Sequence, residues 1–178
     1  MNVLFLYPST MKLDARSAIA PTILSAVAAS LFFLHLGRGA LRDWDEAIYA
    51  EVSREMLLTR DWLTPHWQYL PFFEKPPLLF WIQSSVFRLF GVTEFWARFP
   101  AAIAGVFVVL LTFLLTRRLA GSFAALLAAL ALLTTRDFVN LTRQGMMATP
   151  LTLCVLAALY AWVRVREGSP RWLYGVAL

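Results

Sequence analysis

Four apolar runs, each nearly long enough to enter a bilayer, constrain this chain more than any other feature. Residues 18–36 read AIAPTILSAVAASLFFLHL and residues 99–115 read FPAAIAGVFVVLLTFLL; residues 120–135 read AGSFAALLAALALLTT and residues 146–163 read MMATPLTLCVLAALYAWV. A spanning helix needs about 20 mostly apolar residues. The bilayer has no water to satisfy backbone amides, so such runs must be helical there. The expected fold class is all-α: a polytopic membrane protein with about four transmembrane helices and two extracytoplasmic juxtamembrane helices. The ending RWLYGVAL, residues 171–178, reads as the start of a fifth span. The chain is therefore expected to be the N-terminal part of a longer protein.

The charges suggest an orientation. The net charge of +5 (16 Lys and Arg against 11 Asp and Glu) sits in a chain that is 60% hydrophobic. In such a chain a basic excess records topology rather than nucleic-acid binding, and no nucleic-acid partner is expected. Lys12 and Arg16 precede the first run, placing the N-terminus in the cytoplasm. Arg117 and Arg118 follow the second run, and Arg164, Arg166 and Arg171 follow the fourth. Both clusters fall inside if residues 37–98 form one long extracytoplasmic loop. The single cysteine, Cys154, cannot form an intrachain disulfide.

That loop holds the unusual chemistry. Five of the 11 acids, Asp43, Asp45, Glu46, Glu51 and Glu55, lie in LRDWDEAIYAEVSREM, residues 41–56. Ile48, Val52 and Met56 recur every four residues with Tyr49 beside them, the pattern of an amphipathic helix with Glu51 and Glu55 on its polar side. Asp43 suits its N-cap, with Glu46 completing a capping box. The bland reading is a capped helix. The functional reading is that a carboxylate at the helix start takes a proton from an incoming hydroxyl.

A second helix is expected after Glu74-Lys75-Pro76-Pro77, in LLFWIQSSVFRLFG. With the prolines it is about 24 Å long, short of a ~30 Å hydrocarbon core. It is expected to lie along the interface, with the Gln83, Ser84, Ser85 and Arg88 stripe polar and Arg88 toward headgroups. Two prolines open it stiffly. Lys75 is then placed as a point charge for a phosphate, and Glu74 is a candidate ligand for a divalent metal. TRQGMMATPLTL, residues 142–153, offers Arg143 at the mouth of the fourth run. His35 and His66 read as interfacial or packing residues. The chain has no zinc-type spacing, glycine-rich phosphate loop or Ser-His-Asp pattern, so no nucleotide cofactor is expected.

In order, the chain presents an apolar run, DEAIYAEVSREM, DWLTPHW, FFEKPPL and a run ending in arginines. From residue 18 to 165 this resembles the N-terminal portion of the C-type glycosyltransferases of the protein-mannosyltransferase superfamily (glycosyltransferase family 39-like). The nearest branch is that of the bacterial aminoarabinose transferases acting on lipid A. The resemblance implies transfer of a sugar from a polyprenyl-phosphate donor to a glycan, lipid or protein acceptor. The reaction would run at the extracytoplasmic face of the bacterial inner membrane, among membrane lipids, by inverting single displacement. It implies Asp45 as catalytic base and Lys75 on the lipid phosphate. Glu46, Tyr49, Arg54 and Arg143 become further substrate-side residues, and Glu74 a position beside a possible divalent metal.

The chain departs from the family at one place. The pattern Arg-x-x-Met-x-Asp-x-Pro-Leu is met by RQGMMATPL, so Ala148 stands where an Asp is expected. Two other classes of function remain open: a lipid-transport module and a non-catalytic module that binds polyprenyl phosphate. Ionisable residues inside the runs would favour transport, and these runs are nearly free of them.

Overall fold

A computed structural model of the chain describes residues 15–42 and 44–172. Within them lie α1 (Ala15–Phe33), α2 (Asp45–Thr59), β1 (His66–Trp67), β2 (Leu70–Pro71), α3 (Leu78–Phe90), α4 (Glu94–Thr134), α5 (Arg136–Thr142) and α6 (Ala148–Arg166). A short 3-10 turn follows at Pro170–Trp172. Lys12, Asp43 and residues 173–178 lie outside the described residues. The capping role expected of Asp43 and the start of a fifth span fall mostly there.

Among the described residues, α4 and α6 are long and apolar enough to cross a membrane, while Ala18–Phe33 and Leu78–Phe90 are shorter apolar helices. The second and third apolar runs share α4, which starts at Glu94, with Thr93 Oγ1 accepting from the Trp96 N–H at 3.3 Å. The break between the two runs falls just inside the second of them. Gly121 breaks the helix with φ 86° and ψ 176°, a conformation costly for any residue with a Cβ. Ala102, Val109 and Phe113 before the break share one core with Ala125, Ala129 and Leu133 after it. The two halves therefore fold back on each other. Leu24, Ala28 and Phe32 of α1 complete that core. Its many alanines let backbones approach closely, as in helix packing within lipid.

This topology puts chemically different ends on the bundle. At one end Arg118 Nη1 meets Glu167 Oε2 at 2.6 Å, and Arg164 reaches the same oxygen at 3.2 Å. At the other end lie the close of α1, all of α2 and α3, and the α5–α6 connection. α5 forms two helical turns between the third and fourth apolar runs. α1 ends at Phe33 without a basic residue in its last turn. Arg143 supplies the cap from across the chain, donating to the Leu31 and Leu34 carbonyls at 2.6 and 2.8 Å. Those carbonyls carry the negative end of the helix dipole.

Two sequence expectations need correcting. In α2, Glu55 is not on a solvent face; it is 1% exposed, and Glu46 is 2% exposed, while Ile48 is only half-buried. The carboxylates turn inward because fixed donors await them there. In α3, Gln83 and Ser84 do not face headgroups. Both are fully buried, and only Ser85 and Arg88 stay exposed. Gln83 Nε2 donates to the Ala97 carbonyl at 2.8 Å and its Oε1 accepts from Ser53 Oγ, while Ser84 Oγ donates to the Ser53 carbonyl at 2.9 Å. These bonds lock α3 against α2 and α4, as buried polar groups require.

Candidate active site

The site is built on the first turns of α2. Trp44 precedes the helix at φ 72° with its ring 81% exposed, an outlier for a bulky residue. The Trp44 side chain makes no capping bond. Glu46 reaches back instead, its Oε2 accepting from the Arg42 N–H at 2.6 Å.

Glu46 is also the hub of a buried network. Arg98 Nε donates to Glu46 Oε1 at 2.8 Å, and the same oxygen accepts from the Gly145 N–H at 3.0 Å. The Arg98 fork continues to the Leu36 and Ala40 carbonyls at 2.9 and 2.8 Å. One ion pair thus ties together the segment after α1, the start of α2, the start of α4 and the loop before α6. Gly145 fits because any Cβ would lie 2.8 Å from the Ala97 carbonyl oxygen. Burial would raise the Glu46 carboxyl, but the bonds from Arg98, Arg42 and Gly145 outweigh it and hold the group below its ordinary range. Such bonds to the charged form are what make a buried carboxylate tolerable.

With Glu46 turned in, Asp45 faces the half-exposed side. Tyr49 lies one turn on, and its phenol feels both Asp45 and Lys75 of the Glu-Lys-Pro-Pro segment. Burial and the Asp45 charge raise the Tyr49 phenol, opposed by Lys75. Lys75 is raised in turn, first by its hydrogen bond to Tyr49, then by the Tyr49 and Asp45 charges, with Glu74 adding last. Asp45, Tyr49 and Lys75 therefore act on one point. The Tyr49 ring is pinned edge-on to Phe80 at 5.7 Å, and Phe80 to Phe72 at 6.1 Å. Beside Lys75 opens a cleft of about 430 Å³, walled by Leu63, Phe72, Phe73, Pro76 and Pro77, with Glu74 and Lys75 its charged residues. A cation at the rim of a cleft with aromatic and proline walls suits an amphiphile with an anionic head.

The other expected site residues lie elsewhere. Glu46 is enclosed by its partners and does not line this cleft. Arg54 is half-buried and held by Glu51 at 2.6 Å, beside a separate apolar cleft of about 440 Å³. Arg143 is occupied at the end of α1. Glu74 is exposed, and among the described residues no group of three or more His, Cys, Asp or Glu gathers to hold a metal. That donor set does not fit a metal site made by this stretch alone. Ala148 opens α6 and is exposed. Sequence reasoning missed Arg98, although a lone cation directly before the second apolar run was a signal for it.

Known proteins resemble this chain in sequence and in fold. The chain matches the family described as dolichyl-phosphate-mannose-protein mannosyltransferase over residues 74–178. An undecaprenyl phosphate-alpha-4-amino-4-deoxy-L-arabinose arabinosyl transferase of Edwardsiella ictaluri is 38% identical over 129 residues, 71% of this chain and 23% of that protein. The crystal structure of ArnT from Cupriavidus metallidurans in the apo state superposes with a TM-score of 0.79 at 28% identity, covering 91% of this chain and 31% of that one. The same protein bound to undecaprenyl phosphate gives 0.73 at 30% identity, covering 83% and 27%. The chain thus spans less than a third of the length of each of these relatives. By its family match and by this shared fold, the chain belongs to the dolichyl-phosphate-mannose-protein mannosyltransferase family.

Proposed function

We propose that this chain forms the carrier-phosphate side of a glycosyltransferase centre, in which a sugar moves from a polyprenyl phosphate to an acceptor hydroxyl. The observation that carries the reading is the cleft between Leu63, Phe72 and Phe73 with Lys75 in its wall, together with the influence that Asp45 and Lys75 both exert on Tyr49. The relatives named for undecaprenyl-phosphate aminoarabinose transfer, and the neighbour bound to undecaprenyl phosphate, support it.

In the proposed step, the acceptor oxygen bonds to the anomeric carbon from the face opposite the phosphate. The bond from that carbon to the phosphate oxygen breaks, and its electron pair leaves with the phosphate. The Asp45 carboxylate takes the acceptor proton. Lys75 stabilises the charge growing on the departing phosphate. The outcome is inversion in one displacement. Tyr49 spaces the base from the cation. No nucleotide enters, and no step is routed through a metal.

The arginines at the far end of the bundle mark the cytoplasmic side by the positive-inside rule. Asp45 and Lys75 then lie at the extracytoplasmic face of a multi-pass protein of the bacterial inner membrane. Residues 1–178 are the N-terminal part of its membrane domain, with four spans. The acceptor is a glycan, a lipid or a protein, and lipid A follows from the aminoarabinose branch.

One observation favours a second reading. Ala148 is exposed at the start of α6, where the resembling pattern places an acid. A protein without that acid can bind polyprenyl phosphate without transferring sugar. Incubation of the isolated protein with a radiolabelled polyprenyl-phosphate sugar separates the two. Labelled acceptor that disappears with Asp45→Asn supports the enzyme. Retained donor with no transfer, restored by Ala148→Asp, supports the binding module.

A further inference from the structure

Glu55 has no part in the proposed step, yet it is a carboxylate at 1% exposure on the helix that carries Asp45. Its Oε2 accepts from the Tyr69 N–H at 2.9 Å, across fourteen residues. Tyr69 is the second of two turn residues joining β1 to β2, which pair His66 with Pro71 and Trp67 with Leu70. Gln68 and Tyr69 have φ of 54° and 60°. A two-residue hairpin turn asks for positive φ at both central positions, normally from Asn or Gly. Here neither residue is suited to it, so the turn depends on something outside itself.

We propose that Glu55 is a positioning residue that staples this strained turn and thereby sets where Lys75 stands. The hairpin continues into Phe72, whose N–H donates to the Pro65 carbonyl at 2.8 Å and whose ring packs on Phe80. Lys75 follows three residues later, within about 10 Å of chain. Asp45 and Glu55 are separated by about 15 Å along α2. One helix therefore fixes the carboxylate directly and the ammonium through the hairpin, so their spacing is set by a rigid rod. The proposal rests on the reading of Lys75 as the phosphate cation.

The test uses protein isolated from its own membrane. Glu55→Leu removes the acceptor; it is expected to lower kcat/KM for a polyprenyl-phosphate sugar about tenfold, mainly through kcat, and to speed amide exchange at Tyr69. Glu55→Gln keeps an acceptor oxygen and stays near wild type. Adding Tyr69→Gly to Glu55→Leu relieves the turn and recovers most of the lost kcat/KM, which a general loss of stability would not allow. Wild-type kcat/KM and a protected Tyr69 amide in Glu55→Leu would overturn the proposal, as would a defect that Tyr69→Gly leaves untouched. If wild-type protein transfers no sugar, the functional reading fails by itself. The staple is then scored by Tyr69 exchange and by the affinity for polyprenyl phosphate.

Discussion

The two ends of the bundle handle charge in opposite ways. At the site end, Glu46 and Arg98 are 1% and 7% exposed at their side chains, and their bonds tie four segments of the chain together. At the far end, Arg118 and Glu167 are 20% and 17% exposed, and Arg118 and Arg164 share one carboxylate while leaning on Tyr160 and Trp172. A buried pair with several fixed partners holds a geometry. A half-open cluster holds an orientation in the membrane and tolerates rearrangement. Chemistry that needs a base and a cation at set spacing belongs at the first end.

The largest effect should come from the reacting groups. Lys75→Met and Asp45→Asn are each expected to lower the transfer rate by at least about 100-fold, the usual cost of losing one transition-state contact. Turnover of a lipid-linked sugar by membranes carrying each variant reads this. A comparable loss from Arg118→Gln would erase the distinction between the ends.

Next comes the buried pair. Arg98→Met leaves the buried Glu46 carboxylate without its counter-charge and is expected to cost about 3–5 kcal/mol, whereas Glu167→Ala is expected to cost about 1 kcal/mol or less. Denaturant unfolding in detergent would measure both.

The same pair predicts an acid limit. The folded Glu46 carboxyl ionises below its unfolded value of 4.5. Its stabilisation is therefore complete above that pH and drains away as pH falls through the folded pKa. Wild-type stability should drop in that window, and Glu46→Gln should flatten the profile.

Much of this was legible in the residues. The apolar runs, the helix carrying Asp45 and the stiff start after Pro76 and Pro77 follow from periodicity and proline chemistry. Asp45 and Lys75 were legible as a pair through the resemblance of their motifs. The hidden part is long-range. Glu46 finds Arg98 52 residues away and Gly145 99 residues away, and no local pattern records such a partner. Amphipathicity assigns carboxylates to water, so Glu55 reads as surface until Tyr69 is seen to hold it. Gln83 and Ser84 mislead in the same way, since their partners lie on α2 and α4.

Two smaller effects sharpen the comparison. Arg143→Ala removes the cap on α1 and is expected to cost about 1–2 kcal/mol with donor KM unchanged, because that side chain works on carbonyls rather than in the cleft. Arg54→Gln breaks only a half-exposed i,i+3 pair, and about 0.5 kcal/mol is expected. Thermal unfolding of the two variants side by side would rank them.

The most direct measurement is a structure of the isolated protein with polyprenyl phosphate bound. The account predicts the phosphate within hydrogen-bond distance of the Lys75 Nζ, about 2.8 Å, with the lipid tail entering the cleft beside Phe72 and Phe73. A phosphate seated at Arg118 and Arg164 instead, with Lys75 still on Tyr49, would contradict it.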